Sequence, residues 1–91
     1  MTTSAKFPLG RVVITANAQN RLLPADVQKG LDRHVSGDWG DLCDRDRREN
    51  EIALSQNLRL FSVYYDEAGV KFYIITEHDR SVTTVLLPED Y

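Results

Sequence analysis

Between residues 58 and 87 the chain passes through three segments rich in β-branched and aromatic residues, 58–65, 70–77 and 81–87, separated by two short polar turns. Side chains in such segments alternate between two faces, and their composition suits half-buried strands. The first turn, Asp66-Glu67-Ala68-Gly69, puts glycine where positive φ is tolerated. The second, His78-Asp79-Arg80, is tighter, and Pro88 closes the last strand. Three consecutive strands joined this way predict an antiparallel meander, and a sheet this small needs another layer to cover one face.

The cover comes from upstream. Segment 11–16 (Arg-Val-Val-Ile-Thr-Ala) reads as a short strand between Gly10 and the polar 17–20 stretch. Pro24 suits a first helical position, and the spacing predicts a helix over 24–36 that Gly37 stops. After the Asp38-Trp39-Gly40-Asp41 turn, Asp41 or Asp44 is placed to cap a second helix ending near Asn57. The expected fold is α+β, in the order β-α-α-β-β-β, with two helices packed on one face of a small antiparallel sheet. A length of 91 residues suits one domain, with residues 1–8 expected to be flexible.

Composition narrows the function classes. Hydrophobic residues at 42% and charged residues at 27% are those of a folding globular chain. The single cysteine, Cys43, excludes an internal disulfide and leaves too few thiolates for a structural zinc site, so neither metal nor cofactor is expected. No segment has the apolar length of a signal peptide or membrane span, so a cytoplasmic protein without a membrane role is expected. The net charge of −3 argues against wrapping duplex nucleic acid, leaving at most a local RNA contact. Arg45, Arg47 and Arg48 interleave with Asp41, Asp44, Asp46 and Glu49, as on a solvated helix face.

Five positions stand out chemically. His34 lies on the helical stripe of Leu23, Val27, Leu31 and Val35, where it is either a core histidine with satisfied ring nitrogens or a general acid or base at a helix end. Trp39 in the interhelix turn is either packing or a stacking platform for a planar ligand, and its exposure decides which. Asn50, central on one side of the second helix, is expected to lock the helices or pin the Trp39 turn. The hairpin around His78 and Arg80 is the densest polar cluster; Arg80 with Thr83 or Thr84 is suited to holding a phosphate or carboxylate. Alternation nevertheless sends Thr83 and Thr84 to opposite faces.

The stretches Arg33-His34-Val35-Ser36-Gly37-Asp38-Trp39-Gly40-Asp41-Leu42 and Ile75-Thr76-Glu77-His78-Asp79-Arg80-Ser81-Val82-Thr83-Thr84-Val85-Leu86-Leu87-Pro88, with Arg48-Glu49-Asn50-Glu51 and the ending Pro88-Glu89-Asp90-Tyr91, resemble a family of small bacterial proteins found on plasmids, phages and other mobile elements. Members of that family are described as plasmid-related and carry no assigned activity. The element order also resembles the RelE and barnase-like ribonucleases. That resemblance implies His34 or His78 as acid and base, Arg80 stabilising a strained phosphate, and Thr83 or Thr84 positioning it. RelE-type toxins are basic, whereas this chain is acidic with only three lysines.

The expected function is therefore a mobile-element accessory protein binding a protein partner or small ligand through Trp39, Arg80, Thr83 and Thr84. The alternative is a metal-independent ribonuclease using His34 or His78 with Arg80. A homodimer through an open sheet edge is a further expectation.

Overall fold

The computed structural model describes residues 5–91. Strands β1 (Arg11–Ile14), β2 (Leu60–Tyr65), β3 (Lys71–Thr76) and β4 (Val82–Leu86) form one sheet in the order β1-β4-β3-β2. Helices α1 (Ala16–Arg21), α2 (Pro24–Val35) and α3 (Asp44–Gln56) lie between β1 and β2, and a 3-10 turn follows at Pro88–Asp90. The α+β class and the meander are as the sequence predicts. Three details differ.

The sheet is mixed. Strands β2, β3 and β4 pair antiparallel, but β1 joins β4 in parallel, with Val12 beside Thr83 and Ile14 beside Val85. Alternation marks the faces of a strand and says nothing about the direction of a partner 70 residues away. The additional helix α1 takes up the whole polar 17–20 stretch together with Ala16, expected to be the last residue of the strand. Thr15, expected inside a strand that runs to Ala16, is instead the N-cap of α1, accepting the Ala18 N–H at 3.2 Å. At α3 the N-cap is Cys43 rather than Asp41 or Asp44, with Asp44 and Asp46 in the first turn, where carboxylates suit the helix dipole.

The buried faces of the helices converge on one side of the sheet. Ala18, Leu22 and Leu31 pack with Tyr64, Phe72, Ile74 and Val85, and Ala53 of α3 packs with Leu60, Trp39 and Phe7. Each fully buried side chain of the size of Phe72 or Ile74 stabilises the fold by roughly 1.5–3 kcal/mol relative to an exposed one. On the opposite face, Phe61, Tyr73 and Tyr91 form an aromatic cluster with ring separations of 4.8, 5.9 and 6.0 Å.

One edge of the sheet is closed by groups that are not a strand. The Asn50 side chain donates to the Phe61 carbonyl at 2.6 Å and accepts the Phe61 N–H at 3.2 Å, standing in for a neighbouring backbone. Two residues on, the Val63 N–H donates to the Trp39 carbonyl and the Val63 carbonyl accepts from the Asp41 N–H. The chain comes this close because residue 40 is glycine, at φ +77; a Cβ there would lie 1.9 Å from the Val63 carbonyl oxygen. Asn50 is thus a lock, but between α3 and β2, not between the two helices or onto the Trp39 turn.

Candidate functional site

Three of the sequence candidates, His34, Trp39 and Arg80, meet in space, and they meet around Phe7. The Phe7 ring stands edge-on to the His34 imidazole, with centroids 5.2 Å apart, and stacks on Trp39 at 6.2 Å. His34 and Trp39 are 5.8 Å apart, and the Arg80 guanidinium carbon sits 5.7 Å from the Phe7 ring centre. Phe7 belongs to the stretch 1–8 expected to be flexible. Residues 1–4 lie outside the described residues, but Phe7 is buried and the Lys6 N–H is bonded to the Val35 carbonyl at 2.8 Å. The signal was present in Phe7-Pro8-Leu9, an apolar triplet in an otherwise polar lead.

His34 comes from the last turn of α2 and has no exposed surface. Its Nδ1 lies 2.6 Å from Ser62 Oγ and its Nε2 2.9 Å from Thr76 Oγ1. Thr76 Oγ1 lies 2.8 Å from Thr83 Oγ1, which donates to the Leu9 carbonyl at 2.6 Å. That last bond assigns the whole chain. Thr83 spends its proton on Leu9 and so accepts from Thr76; Thr76 accepts from His34 Nε2–H; and His34 Nδ1 accepts from Ser62. The result is a neutral imidazole of one tautomer, with every polar atom satisfied. Burial, with the Arg80 charge adding to it, holds the His34 pKa down to about 3. A general acid or base must reach its substrate, and this ring has no face open to one.

Trp39 resolves in favour of packing. It is 3% exposed, and its indole N–H donates to Glu51 Oε2 at 2.7 Å. Arg33 and Asp38 anchor the same turn through bonds of 2.8 and 3.2 Å, which hold the Asp38 carboxyl below its ordinary range. The Tyr64 hydroxyl donates to the Asp38 carbonyl, and burial pushes its phenol up.

Arg80 is occupied as well. Its guanidinium donates to the carbonyls of Leu58 at 2.6 Å, Ala53 at 3.0 Å and Glu77 at 3.1 Å. Ala53 belongs to the last turn of α3, whose C-cap Asn57 turns left-handed at φ 55. Arg80 thus closes the C-terminus of α3, where a cation complements the helix dipole. Thr83 is buried in the His34 chain, while Thr84 is half-buried on the opposite face. His78 is exposed at the tip of the hairpin, beside Asp79, whose carboxylate accepts from the Ser81 hydroxyl and N–H and is held low by those bonds.

Sequence reasoning named His34, Trp39, Arg80 and Thr83 but not Phe7, at the centre of the hub, nor Ser62 and Thr76, which complete it. Both are polar at inward-facing strand positions, a pattern that flags a buried hydrogen-bond partner. Among the described residues no cluster of His, Cys, Asp or Glu is placed to hold a metal ion, and no helix is long and apolar enough to cross a membrane. Family models, curated proteins and solved structures give no match to this chain.

Proposed function

We propose that this chain is a non-catalytic accessory protein, of the kind its mobile-element resemblance implies, that works by binding a protein partner through the free edge of β1. The supporting observation is a contrast. The polar groups of His34, Thr83 and Arg80 are bonded to the fold itself, whereas β1 ends the sheet with the outward backbone groups of Val12 and Ile14, which no described residue meets. This moves the binding surface away from Trp39, Arg80 and Thr83, whose side chains hold the core and its caps, and from Thr84, half-buried on the opposite face of the sheet. Edge-strand addition supplies affinity through main-chain bonds and selectivity through alternate side chains.

The experiment is a photo-crosslinking residue in place of Val12, expressed in bacterial cells, with the same residue at exposed Asp32 as control. The expected result is a discrete adduct at position 12, identified by mass spectrometry, absent at position 32 and lost on Leu23→Asp, which charges the rim of the adjoining groove. No adduct at position 12 would overturn the reading. The ribonuclease alternative is tested beside it: RNA cleavage that survives chelator and disappears in His78→Ala, a variant outside the core, would establish catalysis in its place.

A further inference from the structure

The two edges of the sheet are finished differently. Asn50, Trp39 and Asp41 close β2, but the far side of β1 has no such cover among the described residues. The Arg11 N–H donates to the Ser81 carbonyl at 2.9 Å and the Thr15 N–H to the Val85 carbonyl at 3.0 Å. Residues 11, 13 and 15 therefore turn their backbone toward β4, and Val12 and Ile14 turn theirs outward. The strand carries none of the usual edge defences: no proline, no bulge and no charge between Val12 and Ile14. Val12 is 44% exposed and Leu23 is 64% exposed, and Ile14 lines a groove with Leu22, Pro24 and Val27.

The strand is complementary to itself in one register. If two copies of β1 run antiparallel about a two-fold axis at Val13, Val12 of each copy lies opposite the partner's Ile14. Four backbone hydrogen bonds then satisfy every outward N–H and carbonyl of Val12 and Ile14 on both strands. The same register puts Arg11 opposite the partner's Thr15. Arg11 is exposed and has no ion pair among the described residues. The Thr15 hydroxyl donates to Asp90 Oδ2 at 2.7 Å, so Arg11 of one copy falls beside the partner's Asp90. Symmetry repeats that contact. Both side chains belong to the same face of the sheet, since 11, 13 and 15 alternate together.

We infer that the occupant of the β1 edge is a second copy of this chain, paired antiparallel with Val13 on the two-fold axis. The inference rests on the reading of β1 as the binding edge and adds the partner and the register. A non-hydrogen-bonded antiparallel pair brings its Cα atoms to about 4.5 Å, within the range a disulfide spans.

The test uses the purified full chain. Sedimentation equilibrium over a rising concentration series is expected to give a mass moving from 10.4 kDa toward twice that value. Arg11→Glu is expected to weaken association at least tenfold, and Val12→Pro, which removes an outward N–H, to abolish it, both with unchanged circular dichroism. In a Cys43→Ser background, Val13→Cys is expected to form an intermolecular disulfide under mild oxidation and Val12→Cys not to. A monomer mass at every concentration overturns the inference, as does a dimer that Arg11→Glu and Val12→Pro leave intact. A purified monomer together with a position-12 adduct to a different protein overturns the second copy while leaving the binding edge standing; absence of any adduct removes both.

Discussion

Phe7 and His34 meet edge to face, 5.2 Å apart at an interplanar angle of 89°, so the lead-in segment forms one wall of the chamber that keeps the histidine dry. Phe7→Ala deletes that wall and opens a cavity between His34 and Trp39. Buried Phe→Ala changes cost about 3–5 kcal/mol, and the value here is expected in that range by urea unfolding. A loss below about 1 kcal/mol would show that the segment does not hold the core together in solution.

A neutral buried imidazole makes stability depend on pH. The folded state holds His34 at a pKa of about 3, while the unfolded chain takes up a proton near 6.5. The depressed folded value means that stability is fully present above 6.5 and is lost as pH falls toward 3. Over that window each pH unit costs about 1.4 kcal/mol. Urea midpoints measured from pH 7 to pH 4.5 are expected to fall accordingly, before the carboxylates contribute. His34→Gln should remove this slope; a wild-type profile flat over the same range would mean that the imidazole is not sealed.

Arg80 serves the carbonyls of Ala53, Leu58 and Glu77, where one charged hydrogen bond contributes about 1.5–3 kcal/mol and water replaces the more exposed of the lost donors. Arg80→Ala is therefore expected to destabilise by about 2 kcal/mol. Its backbone sits at φ 61, so Arg80→Gly should be milder by about 1 kcal/mol despite losing the same bonds. Thermal melts of the two variants check the order. Added inorganic phosphate should leave the wild-type melting temperature unchanged, and a rise that Arg80→Ala abolishes would restore the anion-binding role.

Asn50 satisfies both backbone groups of Phe61 on the β2 edge. Asn50→Leu keeps the volume but leaves a donor and an acceptor facing hydrocarbon, at a cost of about 2–4 kcal/mol. Amide exchange at Phe61 is expected to accelerate in step. Unchanged protection would mean that the edge is closed by something other than this side chain.

Much of the fold was legible because it is local. The 66–69 and 78–80 turns, the alternation across 81–87 and the span of α2 each depend on neighbours in sequence, and each stands in the structure. The parallel pairing of β1 with β4 depends on partners about 70 residues away, and so does the bond from the Thr15 hydroxyl to Asp90, at a separation of 75. Among site residues, Trp39 and His34 each admitted two roles in sequence, since an imidazole on an apolar stripe or an indole in a turn reads alike whether it packs or meets a ligand.

The sequence by itself determined the layers: a helical stripe and three alternating strands have only one economical way to bury their apolar sides. Tertiary structure alone decided what the polar residues do. Thr83 donates to Leu9, and that single bond propagates through Thr76 to the tautomer of His34 and to Ser62, five residues from five segments of chain. Burial turns each of those hydroxyls into an obligate hydrogen-bond partner, and which partner it finds depends on distances that only the folded chain sets.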